Sequence, residues 1–176
     1  MPIVAAALLA LMTPAEVPKA PAKDLFLHIA RAPGVEVRFA DYHYQAALFE
    51  AMQKGDSAVP EATRNWVVAR VVLETRPLTL DGARLGVGNY GLVLWPNLDG
   101  KGMMVEMRQI DMRELYPDLN AIAPAPKGET VYKGPARFEA SSEMASRLTI
   151  ALEGKDGGFV LTLHYGTQVL RLAFTR

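Results

Sequence analysis

Apolar and polar positions alternate with a period of two through most of the chain from Trp66 to Arg176. Successive side chains of a strand point to opposite faces, so this period predicts half-buried β-strands. In Trp66 to Glu74 one face carries Val67, Ala69, Val71 and Leu73. The other carries Trp66, Val68, Arg70, Val72 and Glu74. Leu78 and Leu80 lead into Asp81-Gly82, a strong hairpin signal. Gly86-Val87-Gly88 marks another corner, and Tyr90, Leu92 and Leu94 share the next inward face as far as Pro96. After the polar turn Asn97 to Gly102, Met103 to Ile110 reads as a strand with Glu106 and Arg108 on its wetter face. Met112 to Tyr132, with Pro117, Pro124 and Pro126, breaks the pattern and predicts a long connection. The ladder resumes at Arg147 to Glu153 and turns at Gly154 to Gly158. Phe159, Leu161, Leu163 and Tyr165 then face inward, with His164 outward. A turn at Gly166-Thr167 and a last inward set, Leu170, Leu172 and Phe174, close the domain, with Arg171 outward.

The segment before Trp66 is more mixed. Leu25 to Ala30 is apolar around His28 and fits strand or helix. Pro33-Gly34 is a turn signal. Val35, Val37 and Phe39 alternate with Glu36, Arg38 and Ala40, as in a half-buried strand. Gln45 to Lys54 is rich in helix formers and stops before Gly55, a natural C-cap. The expected fold is therefore mainly β: an antiparallel sandwich of two packed sheets, with one short helix and a long Pro-containing loop.

Composition narrows the classes. A chain of 176 residues with 50% hydrophobic content suits a single domain with a sizeable core. Its 19 basic and 19 acidic residues cancel, which gives no electrostatic reason to seek nucleic acid or an anionic membrane. The absence of cysteine excludes disulfides, thiolate metal sites and a cysteine nucleophile. Ile3 to Met12 is an uncharged apolar run of export-signal length, shorter than the about 20 residues of a membrane span. Small residues follow at cleavage-like spacing, Thr13-Pro14-Ala15 and Ala20-Pro21-Ala22, although no Lys or Arg precedes the run. The expected organisation is an export signal and Pro/Ala-rich spacer over 1–22 and one sandwich domain over 23–176. The expected location is periplasmic or secreted, with no membrane span in the mature chain.

Three stretches carry a family resemblance over about Val35 to Phe174. They are Glu61-Ala62-Thr63; Leu80-Asp81-Gly82 through Gly88-Asn89-Tyr90-Gly91-Leu92 to Pro96; and Leu148-Thr149-Ile150 followed by Leu161-Thr162-Leu163-His164-Tyr165-Gly166. In these the chain resembles the bacterial family known as domain of unknown function twenty-nine eleven. That family's Trp-Arg-x-Gly-Ala-Asn segment has no counterpart here, since Ser57-Ala58-Val59-Pro60 stands in its place. The resemblance implies a β-sandwich behind an export signal. It implies no activity and no catalytic residue.

Candidate chemistry is sparse. Asp41-Tyr42-His43-Tyr44 is the densest polar and aromatic cluster. Asp41 and His43 suit a ligand site or a proton-transfer pair, but a strand-to-helix junction with Asp41 capping the helix explains them more simply. His28, His43 and His164 lack ligand spacing, so no metal and no cofactor is expected. Asn97 to Gly102 and Asp156-Gly157-Gly158 look like calcium-loop fragments but read as tight turns. Trp66, Tyr90 and Trp95 would make a sugar-stacking platform only if they shared a face; core packing is the simpler reading. The outward Arg70, Glu74, Glu106, Arg108, His164 and Arg171 form a charged surface if their strands share a sheet. Such a surface is usually a solvated face and less often binds a polar ligand. The residues to follow are thus Asp41, His43, Arg70, Glu106, Arg108 and His164. The leading functional expectation is a non-enzymatic module that binds a small ligand or an envelope protein. The alternative is a saccharide hydrolase with paired carboxylates drawn from Asp41, Glu74 and Glu106, about 5 to 10 Å apart.

Overall fold

The computed structural model describes residues 25–57, 59, 66–98, 102–111 and 127–176. The export-signal run, the Glu61-Ala62-Thr63 stretch and most of the expected connection after Met112 lie outside these residues.

Among the described residues, ten strands and one helix follow in the order β1 (Leu27–Ala32), β2 (Val35–Ala40), α1 (Ala46–Lys54), β3 (Trp66–Leu73), β4 (Leu78–Leu80), β5 (Ala83–Leu85), β6 (Gly88–Pro96), β7 (Met103–Gln109), β8 (Thr130–Ala136), β9 (Phe138–Lys155) and β10 (Gly158–Thr175). They make two antiparallel sheets, one of six strands in the order β1-β2-β3-β6-β7-β8 and one of four in the order β5-β4-β10-β9. The expected sandwich with a single short helix is what forms. The inner faces meet in one core. Val37, Val71, Leu92, Leu94, Val105 and Met107 come from the six-stranded sheet, and Leu148, Leu161, Leu163, Leu170 and Phe174 from the other. Leu163 and Leu172 lie in that core, as the alternation predicts.

Both open sides of the sandwich are tied. On one, Tyr132 of β8 donates its hydroxyl to Asp81 Oδ2 in the β4–β5 turn at 2.8 Å. On the other, the stretch between β2 and α1 bridges to β9: Tyr44 N donates to Ser146 O at 2.9 Å and Leu148 N to Tyr42 O at 2.8 Å. The helix covers this end with Phe49 and Met52, and Phe49 packs against Phe138 and Tyr165.

Of the two readings open for Leu25 to Ala30, the strand is the one that forms, over Leu27–Ala32. Other expectations need correction. The long connection is shorter than its expected Tyr132 end, because β8 begins at Thr130. In β3 a bulge between Val67 and Ala69 makes Val68 the extra residue, and Trp66, Val68 and Ala69 all pack on the core. Gly166-Thr167 is no turn. The chain runs straight through it in β10, while β9 advances five residues, Ala145 to Ala140, against two in β10, Gly166 to Gln168. Residues 141–144 thus stand outside the ladder. At Gly166 the inward set of β10 switches from odd positions before it to even positions after it. Gly166 has φ 66°, and a Cβ there would strike the Tyr44 ring.

Candidate functional site

The register of the six-stranded sheet sets a charged layer on its outward face. Glu36 and Arg38 alternate with the core residues Val35, Val37 and Phe39 on β2. Arg38 lies opposite Arg70 on β3, Arg70 opposite Gly91 on β6, and Gly91 opposite Arg108 on β7. One cross-strand row therefore reads Arg38, Arg70, Gly91, Arg108, with no side chain at its third place. Arg31 stands opposite Glu36, and Lys133 opposite Glu106, which itself lies opposite Val93.

Each carboxylate of this layer is held between cations. Glu36 receives Arg38 Nε at 2.5 Å and Arg31 Nη2 at 2.8 Å. Glu106 receives Arg108 Nη2 at 2.6 Å and lies 3.6 Å from Lys133 Nζ. Lys133 Nζ also sits 4.1 Å above the centre of the Trp95 ring. The hydrogen bond from Arg38 holds the Glu36 carboxyl below its ordinary range; burial opposes this, and Arg31 reinforces the lowering.

The layer is not the solvated surface that alternation suggested. Glu36, Arg70 and Glu106 are 7%, 6% and 3% exposed, and Val93 beside them is fully buried. The layer opens most at its rims, at the side chains of Arg31 and Lys133, while Arg38 and Arg108 are half-buried. Among the described residues this face carries five cations (Arg31, Arg38, Arg70, Arg108 and Lys133) against two carboxylates (Glu36 and Glu106). Guanidinium groups in a fixed row present paired N–H donors, the geometry that planar anions accept.

Asp41 lies elsewhere and does a different job. It does not cap the helix: the residue before α1 is Gln45, which makes no side-chain cap. Asp41 accepts from Phe26 N at 2.6 Å and Arg147 Nη1 at 2.9 Å, with His28 Nε2 at 3.5 Å. Burial pushes its carboxyl up, but the Phe26 N–H, Arg147 and His28 together bring it below the ordinary range. These contacts tie the start of β1 to β9 and leave His43 out. His43 instead faces Arg147 across an isolated bridge and accepts the Tyr165 hydroxyl on its backbone carbonyl at 2.6 Å. That hydroxyl is pushed up to about 12, mainly by burial.

His164 is on the other sheet, where Nε2 lies 3.2 Å from Glu143 O beside the bulge of β9. Arg171 is there too, paired with Glu139 at 2.5 Å on an exposed face. Of the sequence-selected residues, the structure therefore brings together Arg70, Glu106 and Arg108. It leaves Asp41, His43 and His164 apart from them, and Glu74 lies just beyond β3. Asp41 follows β2 and Glu106 lies three strands away, a lateral separation of about 14 Å at the usual strand spacing. Trp66 and Tyr90 point into the core and Trp95 outward, so the three do not form a platform. Among the described residues no three His, Cys, Asp or Glu side chains gather as metal ligands. No described helix is long and apolar enough to cross a membrane.

Sequence reasoning missed Glu36, Arg38, Arg31 and Lys133 as members of the layer. Alternation already put Glu36 and Arg38 outward on their strand. What it lacked was the strand order that sets β2 beside β3 and β7 two places further on. No family profile, curated protein or solved structure matches the chain.

Proposed function

We propose that the protein is a non-catalytic, extracytoplasmic β-sandwich module that binds a small polar ligand carrying anionic groups. The row Arg38, Arg70, Gly91, Arg108 carries this reading, because it concentrates guanidinium groups on one face of a chain with no net charge. Gly91 puts no side chain of its own between Arg70 and Arg108 in that row. The carboxylates favour binding over acid–base work. Glu36 and Glu106 are each engaged by two cations, and Asp41 is spent on holding β1 to β9. A hydrolase with paired carboxylates gains no support from the spacing of Asp41 and Glu106. The location rests on the Ile3 to Met12 run, and the likeness to the family of unknown function belongs to the same reading.

Calorimetric titration with inorganic phosphate and with citrate tests the binding. Citrate should bind, weaken with added salt, and lose roughly tenfold or more in affinity in Arg70→Met, the worth of one charge-assisted contact. Circular dichroism checks that the variant is folded. No heat with either anion would sink the ligand reading. Mass spectrometry of protein exported by a bacterial host should find a mature start near Glu16 or Lys23. Intact Met1 in the periplasmic fraction would sink the export reading.

A further inference from the structure

Among the described strands, β1 is the one without a single buried residue. It lies at the edge of the six-stranded sheet and pairs only with β2. Beneath it, Val35, Val37 and Phe39 of β2 are core. The strand is fixed by its ladder, by the stack of His28 on Phe39 at 5.4 Å, by Arg31 on Glu36, and by Asp41 at its entry. None of these contacts depends on which copy of the chain supplies β1.

The turn that joins it to β2 is unlike the other two-residue turns. Asp81-Gly82 and Asp156-Gly157 have positive φ at both places, the mirror-image turn whose twist suits a hairpin. Pro33-Gly34 has positive φ only at Gly34, at 78°, since proline holds φ near −65°. That is a type II pattern, which splays the flanking strands. The closed hairpin therefore keeps its least stable turn under its least buried strand. An extended Pro33-Gly34 would join β1 and β2 into one continuous strand and remove the left-handed residue.

We propose that β1 is an exchange arm, and that two copies of this chain trade it. Each arm closes the β2 edge of the other copy in the register seen within one chain. The partner is fitted by construction, because the surfaces are those already paired. The exchange also carries Arg31 of the partner copy to Glu36, so each charged layer is completed by the other chain. This goes beyond the ligand reading and does not rest on it.

Sedimentation over a wide range of concentrations, with two opposed variants, tests the exchange. Gly34→Ala puts a side chain on a left-handed residue, with Thr75 Oγ1 in its path, only in the closed form. It should tighten the dimer roughly fivefold or more for each turn relieved. Pro33→Asn supplies the residue that mirror-image turns favour, and should weaken the dimer by a comparable factor. The chain has no cysteine, so Leu27→Cys/Ala40→Cys reports the pairing of these two positions without background. Its disulfide should link two chains in the dimer fraction and one chain in the monomer fraction. A wild type that stays monomeric at every concentration, with Pro33→Asn unchanged, overturns the proposal even if Gly34→Ala fails to fold. A dimer whose disulfide forms only within single chains overturns it as well.

Discussion

The two sheets carry the same kind of ion pair on their outward faces and place it in opposite surroundings. On the six-stranded sheet Arg108 meets Glu106 at 2.6 Å, with side chains 22% and 4% exposed. On the four-stranded sheet Arg171 meets Glu139 at 2.5 Å, with side chains 54% and 69% exposed. The contact distances are nearly equal, so distance says little about what each pair is worth. Water does most of the work for the exposed pair and leaves little for the contact to add. The covered pair has lost that water, so each partner depends on the other. Charge on the first sheet is therefore built into the structure, and charge on the second is carried by it.

The largest test of this contrast is Glu106→Gln against Glu139→Gln. The first change leaves Arg108 and Lys133 without this carboxylate in a covered layer. It should cost about 3 kcal/mol, the lower end for a broken buried pair, because both cations keep some exposure. The second should stay within about 0.5 kcal/mol. Equilibrium urea unfolding measures both. Equal losses would show that burial does not separate the two faces.

Acid supplies the next test. The Glu36 and Asp41 carboxyls lie below their ordinary values in the folded chain, so the unfolded chain takes up protons first as pH falls. Their stabilisation is complete above the unfolded carboxylate range and is lost as pH drops through it toward the lower folded values. Urea midpoints should therefore fall between about pH 5 and pH 2. Glu36→Gln should flatten that slope. Identical slopes for the variant and the parent chain would contradict the assignment of Glu36 as a held carboxylate.

The same contrast explains what the sequence could reveal. Inward sets such as Phe159, Leu161, Leu163 and Tyr165 were legible because apolar burial repeats at every second residue of one strand. The Asp81-Gly82 turn was legible because its chemistry is local. The charged layer was only half legible. Alternation put Arg70, Glu106 and Arg108 outward, but whether they adjoin depends on strand order, and whether they are covered depends on what packs above them. The bulges at Val68 and Gly166 hid for the opposite reason. A phase slip in one strand looks like a turn until its partner strand is known, and Gly166-Thr167 in sequence has the look of a corner. Asp41 next to a helix start fits a cap equally well in sequence. Its real partners, Phe26 and Arg147, are set by β1 and β9, and Arg147 is 106 residues away.

The smallest expected effect is at His164. It lies on β10 between Leu163 and Tyr165, two buried residues that point the other way. Its ring contact is with Glu143 O in the bulge of β9, on an exposed part of the face. Removing the ring forfeits one solvent-competed hydrogen bond and leaves a carbonyl that water can satisfy. His164→Ala should therefore stay within about 0.5 kcal/mol. Leu172→Ala on the same strand should cost about 2–5 kcal/mol through lost burial and a cavity. Urea unfolding of the pair separates the two faces of one strand. A larger loss at His164 than at Leu172 would mean that the bulge, held by that ring, is a structural element of the four-stranded sheet, and that this sheet too keeps a polar residue its stability needs.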